Sequence, residues 1–140
     1  MENWEELLSE LLWRIQRNYV RVVEIERQTR ELGDALSRND QESAQLIVKM
    51  RQDEMEQAAQ VKQEIQMLLQ TVPEQEREKL KGWLEGRSDQ EPDSYEAKKI
   101  VEIGGQLTQV LNRTISIDKA INVKIAGKDS FYQRADKSGQ

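Results

Sequence analysis

The sequence predicts an all-α protein, an elongated antiparallel helical bundle of coiled-coil-like character with three long helices and one short helix. Apolar residues recur at alternating spacings of four and three through the first quarter of the chain, the pattern of a helix packed against other helices. Only two of the 140 residues are proline, so long helices are rarely interrupted. Charged residues make up 34% of the chain against 36% apolar, which suits thin bundled helices with a large surface better than a compact globule.

The first helix is predicted over residues 3–36. Asn3 is a suitable N-cap, and Glu5 and Glu6 are favourably placed in the first turn. About 33 residues at ~1.5 Å each give a rod of roughly 50 Å. The apolar seam contains Trp4, Leu8, Leu11, Ile15, Asn18, Val22, Ile25, Thr29, Leu32 and Leu36.

A second helix is predicted over residues 41–71. Residues 37–40 form a short polar loop, which makes the second helix fold back antiparallel to the first, and Asp40 is its predicted N-cap. The apolar stripe of this helix is weaker, because Arg51 and Lys62 stand where apolar residues are expected. These two residues either extend their charged ends to solvent from an edge or leave one side of the hairpin open for a partner.

Two more helices complete the predicted bundle. Pro73 precedes a short, charged helix at 74–85, which Gly86 ends as a C-cap. A polar linker at 87–93 leads to the last helix at 94–126, where Asp93 and Glu96 are spaced as in a capping box. The prediction is a single domain over 1–127 and a loose C-terminal tail over 128–140.

Composition excludes several kinds of chemistry. The chain has no histidine and no cysteine, which removes imidazole base catalysis, thiolate catalysis and the usual zinc ligand sets. Its acidic groups stand where solvent is expected, so we predict no enzymatic activity, no catalytic residue, no metal and no cofactor. A net charge of −5 argues against nucleic acid as a partner. The acidic N-terminus and the lack of a long apolar run predict a cytoplasmic protein without membrane insertion.

The last helix carries more apolar side chains than one buried stripe needs. The excess indicates either an apolar face kept for a protein partner or burial on two sides, within the bundle or within a homo-oligomer. Gly104 and Gly105 lie inside this helix and favour a bend or a close helix approach. Asn18 in the first seam either fixes the packing register or lies at the edge with Tyr19 turned inward. The predicted partner-binding residues are Ile100, Ile103, Leu107, Val110, Leu111, Ile117, Ile121 and Ile125.

The order of helices and residue classes resembles the FlgN family of flagellar type III export chaperones, over roughly residues 5–125. In that family a helix rich in glutamate and arginine meets a short turn with an acidic residue, and a second helix runs back. The residues that carry the resemblance are Glu26, Arg27, Leu32, Leu36, Asp40, Glu42, Lys49, Met55, Glu56, Leu68 and Leu69.

The resemblance implies a cytoplasmic, ATP-independent chaperone. Such proteins use a C-terminal helical region to hold the C-terminal helices of flagellar hook-associated proteins, keep them soluble and bring them to the export apparatus. The corresponding region here is 100–125. The alternative from the heptad pattern alone is a structural coiled-coil oligomer with no client.

Overall fold

The computed structural model describes the backbone of residues 3–88 and 91–138 and the side chains of 3–88 and 91–125. Four helices follow one another: α1 (Trp4–Ser37), α2 (Gln41–Leu69), α3 (Glu74–Leu84) and α4 (Tyr95–Ser138). The described residues contain no strand. The predicted all-α bundle of three long helices and one short helix is confirmed.

Local capping explains where α1 and α2 begin. The side chain of Asn3 accepts a 2.9 Å hydrogen bond from the backbone of Glu5, and Asp40 accepts one of 3.1 Å from the backbone of Ser43. Each carboxyl or amide oxygen satisfies a donor that the first helical turn leaves free. Between the two helices, Asn39 adopts a φ of 58°, a left-handed conformation that asparagine tolerates. A tight antiparallel hairpin results.

The ends of α2 and α3 are also fixed by side chains and turn geometry. Arg77 of α3 donates from Nε to the carbonyl of Leu69 at 3.0 Å and from Nη2 to that of Val72 at 3.2 Å, so one guanidinium satisfies acceptors at the end of α2. Gly86 has a φ of 86°, and the following amide of Arg87 donates to the carbonyl of Gly82 at 2.7 Å. Gly86 therefore ends α3, as predicted.

The last helix differs from its prediction at both ends. Ser94, rather than Asp93, accepts from the backbone of Ala97 at 3.1 Å and caps α4. At the other end the helix continues through Gly127 to Ser138, beyond its predicted end at residue 126. A single glycine costs a helix only about 1 kcal/mol, and no proline follows it. Residues 139–140 lie outside the described part.

One end of the bundle is held by a hydrophobic cluster to which all four helices contribute. Trp83 of α3 is 1% exposed there, and it packs among leucines of the other helices. Burial of such large side chains supplies the main stabilisation of this end. The cluster contains Leu7, Leu8, Leu11, Leu69, Leu80, Trp83, Ala97 and Ile100.

The contacts between α1 and α4 fix the direction of α4. Arg113 binds Glu26, 87 residues earlier in the chain, and Ile121 lies against Gly33. The partners of each pair are separated by nearly the same number of residues along the chain, so contacts advance together along both helices. Helix α4 therefore runs parallel to α1 and antiparallel to α2. Helix α2 returns the chain to the end where α1 begins, and α3 packs at that same end. Helix α4 therefore starts beside the start of α1 and runs in the same direction.

Candidate partner-binding groove

Two open cavities lie beside α4 at the end of the bundle that holds the α1–α2 turn. The larger, here called the turn cavity, has a volume of about 830 Å³ and lies between α1, the turn and α4. Its walls combine apolar side chains of α4 with polar and charged groups of α1. The lining residues are Arg30, Gly33, Asp34, Leu36, Ser37, Asn39, Gln41, Ile117, Ala120, Ile121, Lys124 and Ile125.

The smaller cavity, here called the interhelix cavity, has a volume of about 370 Å³ and is bounded by α1, α2 and α4. Leu36, Ile121 and Ile125 line both cavities, so this part of α4 has open space on two sides. The remaining lining residues are Leu32, Ala44, Gln45, Val48, Arg51, Asp118 and Asn122. The two cavities flank this part of α4, and we refer to them together as the groove.

Ile121 and Ile125 occupy different depths of this groove. Ile121 is 8% exposed, and a Cβ built at Gly33 would lie 3.4 Å from its Cδ1 atom. A glycine at position 33 therefore lets α4 approach α1 at this level. Ile125, one turn further, is 40% exposed, so its side chain is available to a partner that enters the groove.

The structure does not bring the eight predicted partner-binding residues together on one surface. Ile100 is fully buried in the four-helix cluster, and Val110 is 3% exposed. Ile103 and Leu107 are half-buried, whereas Leu111 is exposed. The residues that the structure brings together at the groove are Ile117, Ile121 and Ile125.

A polar connection between three helices forms one wall of the interhelix cavity. Nη1 of Arg51 in α2 donates to Oδ1 of Asp118 in α4 at 2.7 Å and to Oγ1 of Thr29 in α1 at 3.2 Å. Thr29 is fully buried, and its hydroxyl donates to the carbonyl of Ile25 at 2.7 Å. The guanidinium thus reaches inward, where it ties α2 to both of its neighbours.

Sequence reasoning missed this connection although two of its members were conspicuous. Arg51 interrupted the apolar stripe of α2 and Thr29 stood in the seam of α1, and buried polar groups require partners. The interpretation of Arg51 as an edge residue is wrong, because its side chain is only 16% exposed. Nothing in the sequence distinguished Asp118 from the other acidic residues.

A second ion pair joins α1 to α4 on the outside of the bundle. Arg113 donates from Nε and Nη2 to the two carboxylate oxygens of Glu26, at 2.9 and 3.3 Å. These hydrogen bonds, and the positive charge of Arg113, hold the pKa of Glu26 below its ordinary value. The pKa values of Glu24 and Asp40 are also lowered, by hydrogen bonds from Arg27 and from Ser43 respectively. These three carboxylates are ionised at neutral pH, the state opposite to that of a general acid.

Asn18 is half-buried in the α1 seam, and its Oδ1 atom is buried without a hydrogen-bond partner among the described atoms. Tyr19 is half-buried as well, so neither side chain fully replaces the other in the seam. A buried amide oxygen without a partner costs stability. Asn18 therefore weakens the core at the middle of α1.

The described residues contain no group of three or more acidic side chains placed to hold a metal ion. None of the helices in 3–88 and 91–138 combines the length and apolar character needed to cross a bilayer. No protein-family model, curated protein or solved structure matches the chain.

Proposed function

We propose that this chain is a non-catalytic binding protein that holds an amphipathic helix of another protein in the groove around Ile121 and Ile125. The observation that carries the proposal is the open groove at the turn end, which three isoleucines of α4 line and where Ile125 is exposed. Helix recognition of this kind places apolar anchors of the partner into a hydrophobic groove. Exposed apolar surface on one helix edge is typical of an interaction site.

The dimensions and charge of the groove define the partner. Ile117 and Ile125 are eight residues apart on α4, so the wall is about 12 Å long and matches roughly two turns of a helix. Arg30 and Lys124 line the turn cavity together with Asp34, which leaves one cation in excess. A partner helix with leucine or isoleucine on one face and carboxylates beside that face is complementary to this wall.

The proposed biological role follows from the resemblance to the FlgN family, which stays a prediction. In that role the chain is a cytoplasmic, ATP-independent export chaperone. It binds the C-terminal helices of flagellar hook-associated proteins and keeps them soluble for type III secretion. The groove at the distal part of α4 supports the role because it lies within the region that the resemblance assigns to client binding.

Peptide binding tests the proposal directly. The probes are synthetic peptides covering the C-terminal helices of hook-associated proteins, with sequence-scrambled peptides as negative controls. Ile125→Asp places a charge at an apolar position of the groove and is expected to weaken binding more than about tenfold. Val123→Asp is the matched control, because Val123 is 70% exposed on the same helix and lines neither cavity.

The two variants are expected to differ, since Val123→Asp should bind the peptides with an affinity within about twofold of that of the unmodified chain. Circular dichroism and urea unfolding verify that both are folded. Equal affinity of both variants for the peptides would contradict the groove assignment. Absence of binding to hook-associated peptides, with retained binding to other amphipathic helices, would contradict the flagellar role alone.

A structural oligomer is the second candidate, favoured by apolar side chains on the outer faces of the hairpin. Trp13 and Val20 of α1 and Leu46 and Met67 of α2 are each more than half exposed. An oligomer that covers them has a melting temperature that rises with protein concentration. Sedimentation that detects only monomer up to high concentration would remove this candidate.

A further inference from the structure

Different interactions hold the two halves of α4 to the rest of the molecule. Near its start, Ala97 and Ile100 are fully buried in the four-helix cluster. Gly104 touches α3 so closely that a Cβ there would lie 2.4 Å from the carbonyl oxygen of Leu84. The first part of α4, residues 95–104, is therefore locked in place by apolar burial and backbone contact.

The part beyond, here called the distal arm (residues 109–125), buries apolar side chains more sparsely along its length than residues 95–104 do. Its buried side chains are Val110, Thr114 and Ile121, and the hydroxyl of Thr114 donates to the carbonyl of Val110 within its own helix. The hydrophobic cluster at the turn end is built from α1 and α2 without a contribution from α4. Segments with few buried apolar contacts are the ones that open locally.

Two ion pairs supply the specific bonds between the distal arm and the hairpin. Arg113 binds Glu26 of α1, and Asp118 binds Arg51 of α2. The two pairs lie on different faces of the arm and hold it to both helices of the hairpin. Such bonds are directional, and salt weakens the half-exposed pair of Arg113 with Glu26 more than the less exposed pair of Arg51 with Asp118.

The helical turn between the two parts, here called the hinge turn (residues 105–108), contains a glycine that packing does not require. A Cβ at Gly105 would find its nearest neighbour, the Cα of Gly86, at 3.8 Å, which is ordinary contact. Thr108 donates to the carbonyl of Gly104 at 2.9 Å and approaches that of Glu85 at 3.3 Å. Among the described residues, this is the last hydrogen-bond contact along α4 with the end of α3. A glycine without a steric need lowers the cost of bending the helix there.

We propose that the distal arm separates from the α1–α2 hairpin as a unit by bending at the hinge turn, and that the two ion pairs are the latch that keeps it closed. Opening enlarges the groove and exposes Val110 and Ile121 together with the face of α1 beneath them. The use of the open state for partner binding rests on the proposed function. The opening itself is a property of the isolated chain and is measured without any partner.

Distance measurements between spin labels test the opening. The chain has no cysteine, so labels attach only where cysteine is introduced. The distal pair is Lys49→Cys with Lys119→Cys, and the matched proximal pair is Gln66→Cys with Lys98→Cys. All four positions are exposed, and none belongs to the latch or to the lining of either cavity.

The distal pair is expected to show a second, longer distance whose population grows when NaCl is raised to 1 M, where the screening length is about 3 Å. Asp118→Asn is expected to raise that population about two- to fivefold at low salt. The proximal pair should keep one narrow distance throughout. Equally narrow distances for both pairs at both salt concentrations, or equal broadening of both, would overturn the proposal.

Gly105→Ala tests whether the hinge turn is where α4 bends. The added methyl fits and stiffens the helix, so the longer distance should become about fivefold less populated. Circular dichroism confirms that the variant stays folded. An unchanged population would overturn the assignment of the hinge to this turn. With opening established by the labels, failure of client peptides to bind would count against the proposed function and not against the hinge.

Discussion

Asp118 of α4 accepts a 2.7 Å hydrogen bond from Arg51 of α2, across a bundle in which both helices pack mainly against α1. The bond is charge-assisted, and Arg51 is only 16% exposed. Its removal leaves a largely buried cation without its carboxylate, which costs more than the loss of an exposed ion pair.

Replacement of Asp118 by asparagine is therefore expected to lower the free energy of unfolding by about 1 kcal/mol, a value reduced by the partial exposure of the carboxylate. Asp53→Asn, which neutralises an exposed carboxylate of α2, is the control and should change it by less than about 0.5 kcal/mol. Urea unfolding measures both. A double-mutant cycle of Arg51→Ala with Asp118→Ala should give a coupling above zero, and additive effects would contradict a direct interaction.

Adjacent glycines of α4 give a matched pair for close packing. Gly104→Ala brings a methyl within 2.4 Å of a backbone carbonyl oxygen, which a rigid helix end cannot move away. We expect a destabilisation of about 2 kcal/mol, the balance of a steric penalty and a gain in helix propensity. Gly105→Ala has room and should stabilise the chain by up to about 1 kcal/mol. Thermal unfolding of both variants measures the difference, and destabilisation of equal size would show that the contact with Leu84 is not decisive.

Two tryptophans allow the stability cost of a core substitution to be compared with that of a surface substitution. Trp83 is 1% exposed, and its replacement by alanine is expected to cost about 3–5 kcal/mol. Trp13 is 51% exposed beneath Arg17, whose guanidinium lies 4.5 Å from the ring centroid. Trp13→Ala should cost no more than about 1 kcal/mol. Urea unfolding followed by circular dichroism reports both, and a large loss for Trp13→Ala would instead indicate that its surface is covered in solution.

The ion pair between Glu26 and Arg113 makes part of the stability dependent on pH. Because the hydrogen bonds from Arg113 lower the pKa of Glu26 in the folded chain, its contribution is full above the ordinary glutamate pKa of 4.5. The contribution is lost as the pH falls through the lower folded value. The unmodified chain should therefore exceed Glu26→Gln in stability at pH 7, and the difference should shrink below pH 4.5.

Arg113→Gln tests the cause of that dependence. It removes the hydrogen-bond donor to Glu26, so the loss of stability at acidic pH should become smaller. Lys119→Gln is the control, because it neutralises an exposed cation of the same helix and should leave the loss of stability at acidic pH unchanged. Stability is measured by urea unfolding between pH 7 and pH 3. A constant difference between the unmodified chain and Glu26→Gln at every pH would contradict the lowered pKa.

The helices were predictable because their signals are local. Periodicity, a proline and capping residues such as Asn3 and Asp40 specify where a helix lies and where it begins. The buried face of α1 is wider than its predicted seam, since Leu7, Gln28 and Ala35 are buried too. A heptad seam assumes one neighbouring helix, whereas α1 has α2 on one side and α4 on the other.

The groove was only partly predictable, because it depends on where α4 lies relative to α1. The direction of α4 follows from the packing of α3 at the end where α1 begins, and the sequence carries no local signal for that packing. Burial of Ile100 and exposure of Ile125 could not be distinguished from their types or spacing, since both are isoleucines of the same helix. The ion pair of Asp118 could not be predicted either, because its partner lies 67 residues away in the sequence.

The parallel arrangement of α1 and α4 has a mechanical consequence. A pulling force applied at Trp4 and at Ile125 acts along the common axis of the two helices, because the two residues lie at opposite ends of the bundle. It slides α4 along α1, so that the contact with Gly33 and the ion pair with Glu26 are strained together. The α1–α2 hairpin, pulled at Trp4 and Leu69, instead separates from one end, one contact after another. The chain should thus resist stretching far better along the first direction than along the second.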